Sequence, residues 1–184
     1  YISEKDNGQS DAMNKAFENS NGNIIVYLNA DDSFENNVFK KIIDSFKSSN
    51  DDIVVGNLII KDERNGQTSV IFPVISFIKL LFPNVYNFPY NPVSYFYKRK
   101  VQEQVGQFPE NEHYAMDYWF LLRAFYSFKV KKIDSTLGVF YLSDLNKTIV
   151  NSNIDLKSIA KHFIITKRNK YFAFLYEFTY SIIN

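Results

Sequence analysis

Apolar residues along this chain fall into runs of two kinds, short unbroken ones and longer ones at helical spacing. Ile24 to Leu28 is of the first kind, rich in β-branched and aromatic residues, and predicts a strand covered on both faces of an α/β sheet, while Asp52 to Lys61 reads as a second apolar strand. Phe34, Val38, Phe39, Ile42, Ile43 and Phe46 recur every three or four positions, which predicts an amphipathic helix from Phe34 to Ser49. A shorter helix is predicted from Asp11 to Ser20, with Ala12, Ala16 and Phe17 on one side and Ser10 or Asp11 as its cap. After the second strand, the turn at Asn65 and Gly66 leads back through Thr68 to Phe72, the pattern of a hairpin.

Pro73, Pro83, Pro89 and Pro92 punctuate the next stretch and leave a short helix near Ile75 to Phe82. Beyond it the pattern predicts a strand at Ser94 to Tyr97 and helices at Arg99 to Val105 and Tyr114 to Ser127. Strands are expected at Val130 to Ile133 and Leu137 to Leu142. Two helical patterns follow, Leu156 to Thr166 and Lys170 to Ile183, the second strongly aromatic. Packing onto the core is the expected use of these two helices. Lys161, Lys167, Arg168 and Lys170 leave peripheral contact with a membrane as the other option.

Composition narrows the class. The 184 residues suffice for one domain with a real core, and 46% hydrophobic residues with 18 Phe and 13 Tyr exclude a disordered chain. The formal net charge is +1 and neither sign forms a block, so no nucleic-acid footprint is present. Without cysteine there is no disulfide, thiolate nucleophile or cysteine-based zinc site, which accords with a reducing cytoplasm. No stretch approaches the roughly 20 apolar residues of a bilayer span. The opening YISEKDNGQS has no secretory-signal character, and it starts within what reads as the end of a strand. A fragment of a longer domain is therefore expected.

Three polar clusters interrupt this background. In the first, residues 3 to 17, a glycine turn between Asp6 and Asp11 precedes a helix bearing Asn14 and Lys15; such a helix start can receive phosphate, and Lys15 adds charge. The second is Asn29, Asp31 and Asp32, at the carboxyl end of a strand, where ligands of open α/β sheets collect. Adjacent carboxylates there suit a hard divalent cation, although Asp32 or Ser33 could simply cap the helix that follows. The third is Asp117, followed by Tyr118, Trp119, Phe120, Leu121 and Leu122. It reads as a general base in an apolar setting, as a helix cap, or as the partner of Arg123.

Ser3-Glu4, Asp6-Asn7-Gly8, Asp11-Ala12-Met13-Asn14-Lys15 and Asn29-Ala30-Asp31-Asp32, in this order and spacing, resemble the middle of bacterial family 2 glycosyltransferases. Tyr114 to Tyr118 with Leu121, Leu122 and Arg123 is similar to the later family motif that supplies a catalytic base. The resemblance implies a GT-A fold, a mixed sheet flanked by helices, over residues 1–150, with a helical tail at 151–184. It implies a nucleotide-sugar donor, most readily a UDP-sugar, with Asp6, Asp11, Asn14, Lys15 and Asn29 on the donor side. Asp31, with Asp32 beside it, would hold Mn2+ or Mg2+, and Asp117 would deprotonate the hydroxyl of a glycan or lipid-linked acceptor for inverting transfer.

Family members begin with further strands and helices, so an N-terminally truncated domain is expected here. Exposed sheet edges then predict self-association or a partner. Pro92-Val93 stands where relatives often carry His-Gln, and Tyr141 and Ser143 stand where Arg and His are common. The implied setting is surface polysaccharide synthesis in the cytoplasm or at the inner membrane face. Two other readings are a non-catalytic remnant that binds glycans or a partner enzyme, and an assembly domain docked by its aromatic tail.

Overall fold

The computed structural model describes residues 3–111, 115–144, 146, 155–167 and 170–183. Its elements run α1 (Gln9–Glu18), β1 (Ile24–Ile25), β2 (Ser33–Phe34), α2 (Val38–Ser48), β3 (Ile53–Asp62), β4 (Gln67–Ile71) and α3 (Phe77–Leu80). A 3-10 turn (Pro92–Ser94) then leads into β5 (Tyr95–Lys98), α4 (Arg99–Val105), α5 (Met116–Ser127), β6 (Val130–Leu142), α6 (Leu156–Lys167) and α7 (Lys170–Ile183).

The strands form one mixed sheet in the order β1-β5-β3-β6-β2, with β4 paired to β3 as the expected hairpin. Among the described residues only the β3 and β6 ladder is parallel; the other pairings are antiparallel. Alternation puts the two faces of the sheet into different cores. Ile25, Tyr27, Ile53, Val55, Tyr95 and Tyr97 point into the larger one, against α1, α4, α5, α6 and α7. Ile24, Val26, Val54 and Phe96 point the other way, where Val38 and Ile42 of α2 cover them. The segment from Ile24 to Tyr27, β3 and β5 therefore carry packing on both faces, as the apolar run from Ile24 predicts for its own strand, whereas β4 lies exposed. Ala160, Phe163 and Ile164 of α6 and Ala173, Tyr176 and Tyr180 of α7 join the larger core, so the tail packs on the domain. Among the described residues no helix is long and apolar enough to cross a membrane.

Several boundaries differ from the sequence pattern, each for a tertiary reason. Phe34 is not helical: it pairs with Gly138, and Glu35 N–H donates to Leu137 O at 2.9 Å, so α2 waits until Val38. Asn37, at φ 62, makes the left-handed turn between them. The expected five-residue strand after Asn23 forms ladder bonds only at Ile24 and Ile25, against Lys98 and Tyr97. The two expected strands after Val130 are one, carrying an irregularity opposite Val55 to Leu58. Gly56 sits in that irregularity, where a Cβ would stand 2.4 Å from Leu137 Cγ and 2.6 Å from Ser135 O. The expected strand end at Tyr1 and Ile2, the helix start at Tyr114, and Arg168 lie outside the described residues.

Candidate active site

Asp32 is the fixed member of the acid pair. It is buried, and its Oδ2 accepts from Asn29 Nδ2 at 2.8 Å and Asn91 Nδ2 at 2.9 Å, while the Tyr141 N–H reaches Oδ1 at 3.4 Å. Burial pushes this carboxyl above the usual carboxylate range, the two amides oppose that, and the charge of Asp31 adds to it. Asn91 is itself held, because its Oδ1 accepts the Val93 N–H at 3.0 Å and caps the 3-10 turn. Neither Asp32 nor Ser33 caps α2, whose start lies at Val38. The capping option for the acid pair is thereby removed.

Asp31 is exposed, and Asn146, just beyond β6, donates to its Oδ2 at 3.0 Å. Asn146 also accepts the Ser143 N–H, which folds that segment back toward the acidic edge. Among the described residues no three acidic or imidazole side chains gather as a metal cage. Mg2+ and related hard cations often take one or two carboxylates and complete their shell with phosphate oxygens and water. A single open carboxylate fits that kind of site and does not fit a closed zinc site.

The first turn of α1 joins this edge to the third cluster. Gln9 Nε2 donates to Asn29 Oδ1 at 3.0 Å, and the next residue, Ser10, donates its hydroxyl to Met116 Sδ at 2.9 Å. Met116 opens α5, and Asp117 follows it. Asp117 is half-buried, with Tyr95 donating its phenol O–H to Oδ1. Burial pushes the carboxyl up to about 6, and the Tyr95 hydrogen bond opposes the rise. Asp117 makes no side-chain cap for α5. Arg123 lies elsewhere: its guanidinium stacks 3.6 Å from the Trp119 ring centroid and its Nη1 donates to Trp119 O at 3.0 Å. Of the three roles open to Asp117 in the sequence, the cap and the Arg123 partner are therefore not formed. What the geometry can do is accept a proton near neutral pH.

The sequence pattern described as Glycosyl transferase family 2 matches residues 1–127. The chain belongs to glycosyltransferase family 2. Solved structures of TarS from S. aureus share its GT-A fold. TarS 1-349 in complex with UDP superposes with a TM-score of 0.62 at 14% identity, over 86% of this chain and 46% of that one. TarS 1-349 in complex with UDP-GlcNAc gives 0.65 at 13%, over 86% of this chain and 47% of that one. The family 2 chain thus spans about half the length of these TarS chains. No curated protein sequence matches it at a significant level.

The remaining predicted donor-side residues surround α1. Asp6 Oδ1 accepts the Gly8 N–H at 2.9 Å, and Asp11 Oδ2 accepts the Asn7 N–H at 2.8 Å, so both carboxylates shape the glycine turn. The Asn7 N–H, aided by Lys15, holds the Asp11 carboxyl below the usual range against its burial. Lys15 bridges Glu4 at 3.0 Å and Asp11 at 3.2 Å and donates to Lys5 O at 3.1 Å. A cleft of about 310 Å3 opens here, lined by Glu4, Asp6 and Lys15 among others. Asn14 is buried and spends its amide on the Phe108 backbone, giving to O at 2.9 Å and taking from N at 2.8 Å.

Sequence reasoning missed Asn91, Tyr95 and Asn146. For Asn91 a signal existed, since Asn before Pro starts turns and caps. Tyr95 and Asn146 carry no local signature, because their partners Asp117 and Asp31 are distant in the sequence.

Proposed function

We propose that this chain carries the acidic edge and the catalytic base of an enzyme that moves a sugar from a UDP-sugar donor to a glycan hydroxyl with inversion. The observation that carries the reading is Asp117: a half-buried carboxylate shifted to about 6, joined through Ser10 and Gln9 of α1 to the edge holding Asp31 and Asp32. Ionised above about pH 6, Asp117 takes the proton of the acceptor hydroxyl. That oxygen then bonds to the anomeric carbon, the bond from this carbon to the diphosphate breaks, and UDP leaves with the electron pair.

Asp31 would hold a divalent cation, Mn2+ or Mg2+, which supplies charge stabilisation to the departing diphosphate. Asp32 keeps Asn29 and Asn91 in place beneath it. Bound UDP and UDP-GlcNAc in the TarS structures support a uridine nucleotide as donor. The proposed setting is synthesis of a surface polysaccharide. Isothermal titration of the chain with UDP and Mn2+, beside an Asp31→Asn variant, tests the donor site. UDP binding that requires the metal and Asp31, and that appears once an N-terminal extension is restored to the chain, is the expected result, and binding indifferent to both would remove the metal assignment.

A further inference from the structure

Tyr95 occupies a position that no motif in the sequence marks. It starts β5, directly after the turn that carries Asn91, and is 1% exposed in register with Val55 of the central strand. Its ring stacks on Tyr97, with centroids 6.3 Å apart and planes at 18°. Tyr97 is pinned in turn: its O–H donates to Gln102 Oε1 at 2.6 Å, and Tyr27 donates to the same oxygen at 3.0 Å. Two strands and α4 therefore fix the Tyr95 ring and aim its hydroxyl at Asp117 Oδ1.

A carboxylate on its own is a broad rotor about its last torsion. General-base catalysis needs one oxygen within about 3 Å of the departing proton, so rotation costs rate. Among the described residues the Tyr95 hydroxyl is the only hydrogen-bond partner of the Asp117 carboxylate.

We propose that Tyr95 is a positioning residue for the base: its hydroxyl ties Oδ1 of Asp117 and thereby presents Oδ2 to the acceptor hydroxyl. The inference rests on the reading of Asp117 as the base. Burial, and after it the charge of Asp117, raises the Tyr95 phenol far above its ordinary range, so Tyr95 stays a donor and does not compete for the proton. Among the described residues the titratable groups coupled to Asp117 are Tyr95 and, behind it, Tyr97, both on β5. α1 meets the start of α5 through the neutral contact of Ser10 with Met116, and among the described residues no charged side chain forms an ion pair with Asp117.

The test is a pH titration of the full chain by NMR, with 13C labels in the Asp carboxyls and the Tyr rings. In the wild-type chain the Tyr95 ring carbon bearing the hydroxyl should follow the Asp117 midpoint. Tyr95→Phe should raise that midpoint by about one pH unit, as expected for losing a hydrogen bond to a charged acceptor. Tyr176→Phe, whose lost hydroxyl serves the Leu81 carbonyl, should leave it unmoved. A flat Tyr95 trace in the wild type, or an unmoved midpoint in a folded Tyr95→Phe chain, overturns the proposal. The reading beneath it fails separately: wild-type turnover by Asp117→Asn would show that Asp117 is not the base, and Tyr95 would then have no part in catalysis.

Discussion

Asn91 and Asp32 meet at 2.9 Å in a buried contact that ties the 3-10 turn before β5 to the end of the acidic segment. A buried carboxylate that loses one of its donors keeps its desolvation cost without compensation. Asn91→Leu should therefore cost about 2 kcal/mol in urea unfolding. Asn91→Asp should cost more, because it replaces a donor by a second acid against Asp32. An Asn91→Leu chain as stable as the wild type would show that Asn29 and Tyr141 suffice.

Asp31 and Asp32 should separate cleanly on substitution although they are adjacent. Asp31 is exposed and reached by Asn146, so Asp31→Asn should leave stability within about 0.5 kcal/mol while weakening Mn2+-dependent UDP binding at least tenfold. Asp32→Leu strands the Asn29 and Asn91 amides and should destabilise the fold by about 2–3 kcal/mol. Parallel calorimetry and thermal melts distinguish the two, and equal effects on both readouts would contradict this division of labour.

The contrast between Asp31 and Asn91 shows what was legible in the chain. Asp31 announces itself locally, as an acid at the end of an apolar run, and Asp6 to Lys15 does so as a short motif around a glycine turn. Both follow from neighbours in sequence. Strand and helix cores were legible for the same reason: Ile53 to Ile60 and Val38 to Phe46 carry their periods within one element. What could not be read is set by pairing across the sheet. Phe34 has a helical neighbour pattern, yet Gly138 recruits it into a strand, and Asn14 has a motif position, yet the Phe108 backbone consumes its amide. Tyr95 is illegible in the same way, since the Asp117 that gives it meaning arrives 22 positions later.

Gly138 marks the closest approach beneath the acidic edge. A Cβ there would stand 2.7 Å from Ser33 O and 2.7 Å from Val93 Cβ, so one obstacle is backbone and cannot turn aside. Gly138→Ala should cost about 2 kcal/mol or more and disturb β2, whose Phe34 pairs with Gly138. Val93→Ala clears only part of the clash and should not restore stability in the double variant. Full recovery would place the strain on Val93 rather than on the Ser33 carbonyl. The comparison needs only chemical denaturation of the three chains.

Asp117 should show that the site is held at the expense of the fold. Its carboxyl is raised from 3.8 to about 6 by burial, so its charged form is disfavoured in the folded state. The sign follows from linkage: the stabilising contribution of the protonated acid is complete below about pH 4 and is lost as pH rises through about 6. Asp117→Asn keeps the shape and an acceptor for Tyr95 while removing the charge. At pH 7.5 it should be more stable than the wild type by on the order of 2 kcal/mol, and at pH 4 the two should melt alike. Transfer should fall by at least about 100-fold in the same variant, within the range of a lost general base. The wild-type rate should drop about tenfold per pH unit below about pH 6, as the base becomes protonated. A variant that is inactive and no more stable at pH 7.5 would mean that the carboxylate is solvated in the folded chain. Its role would then rest on position alone.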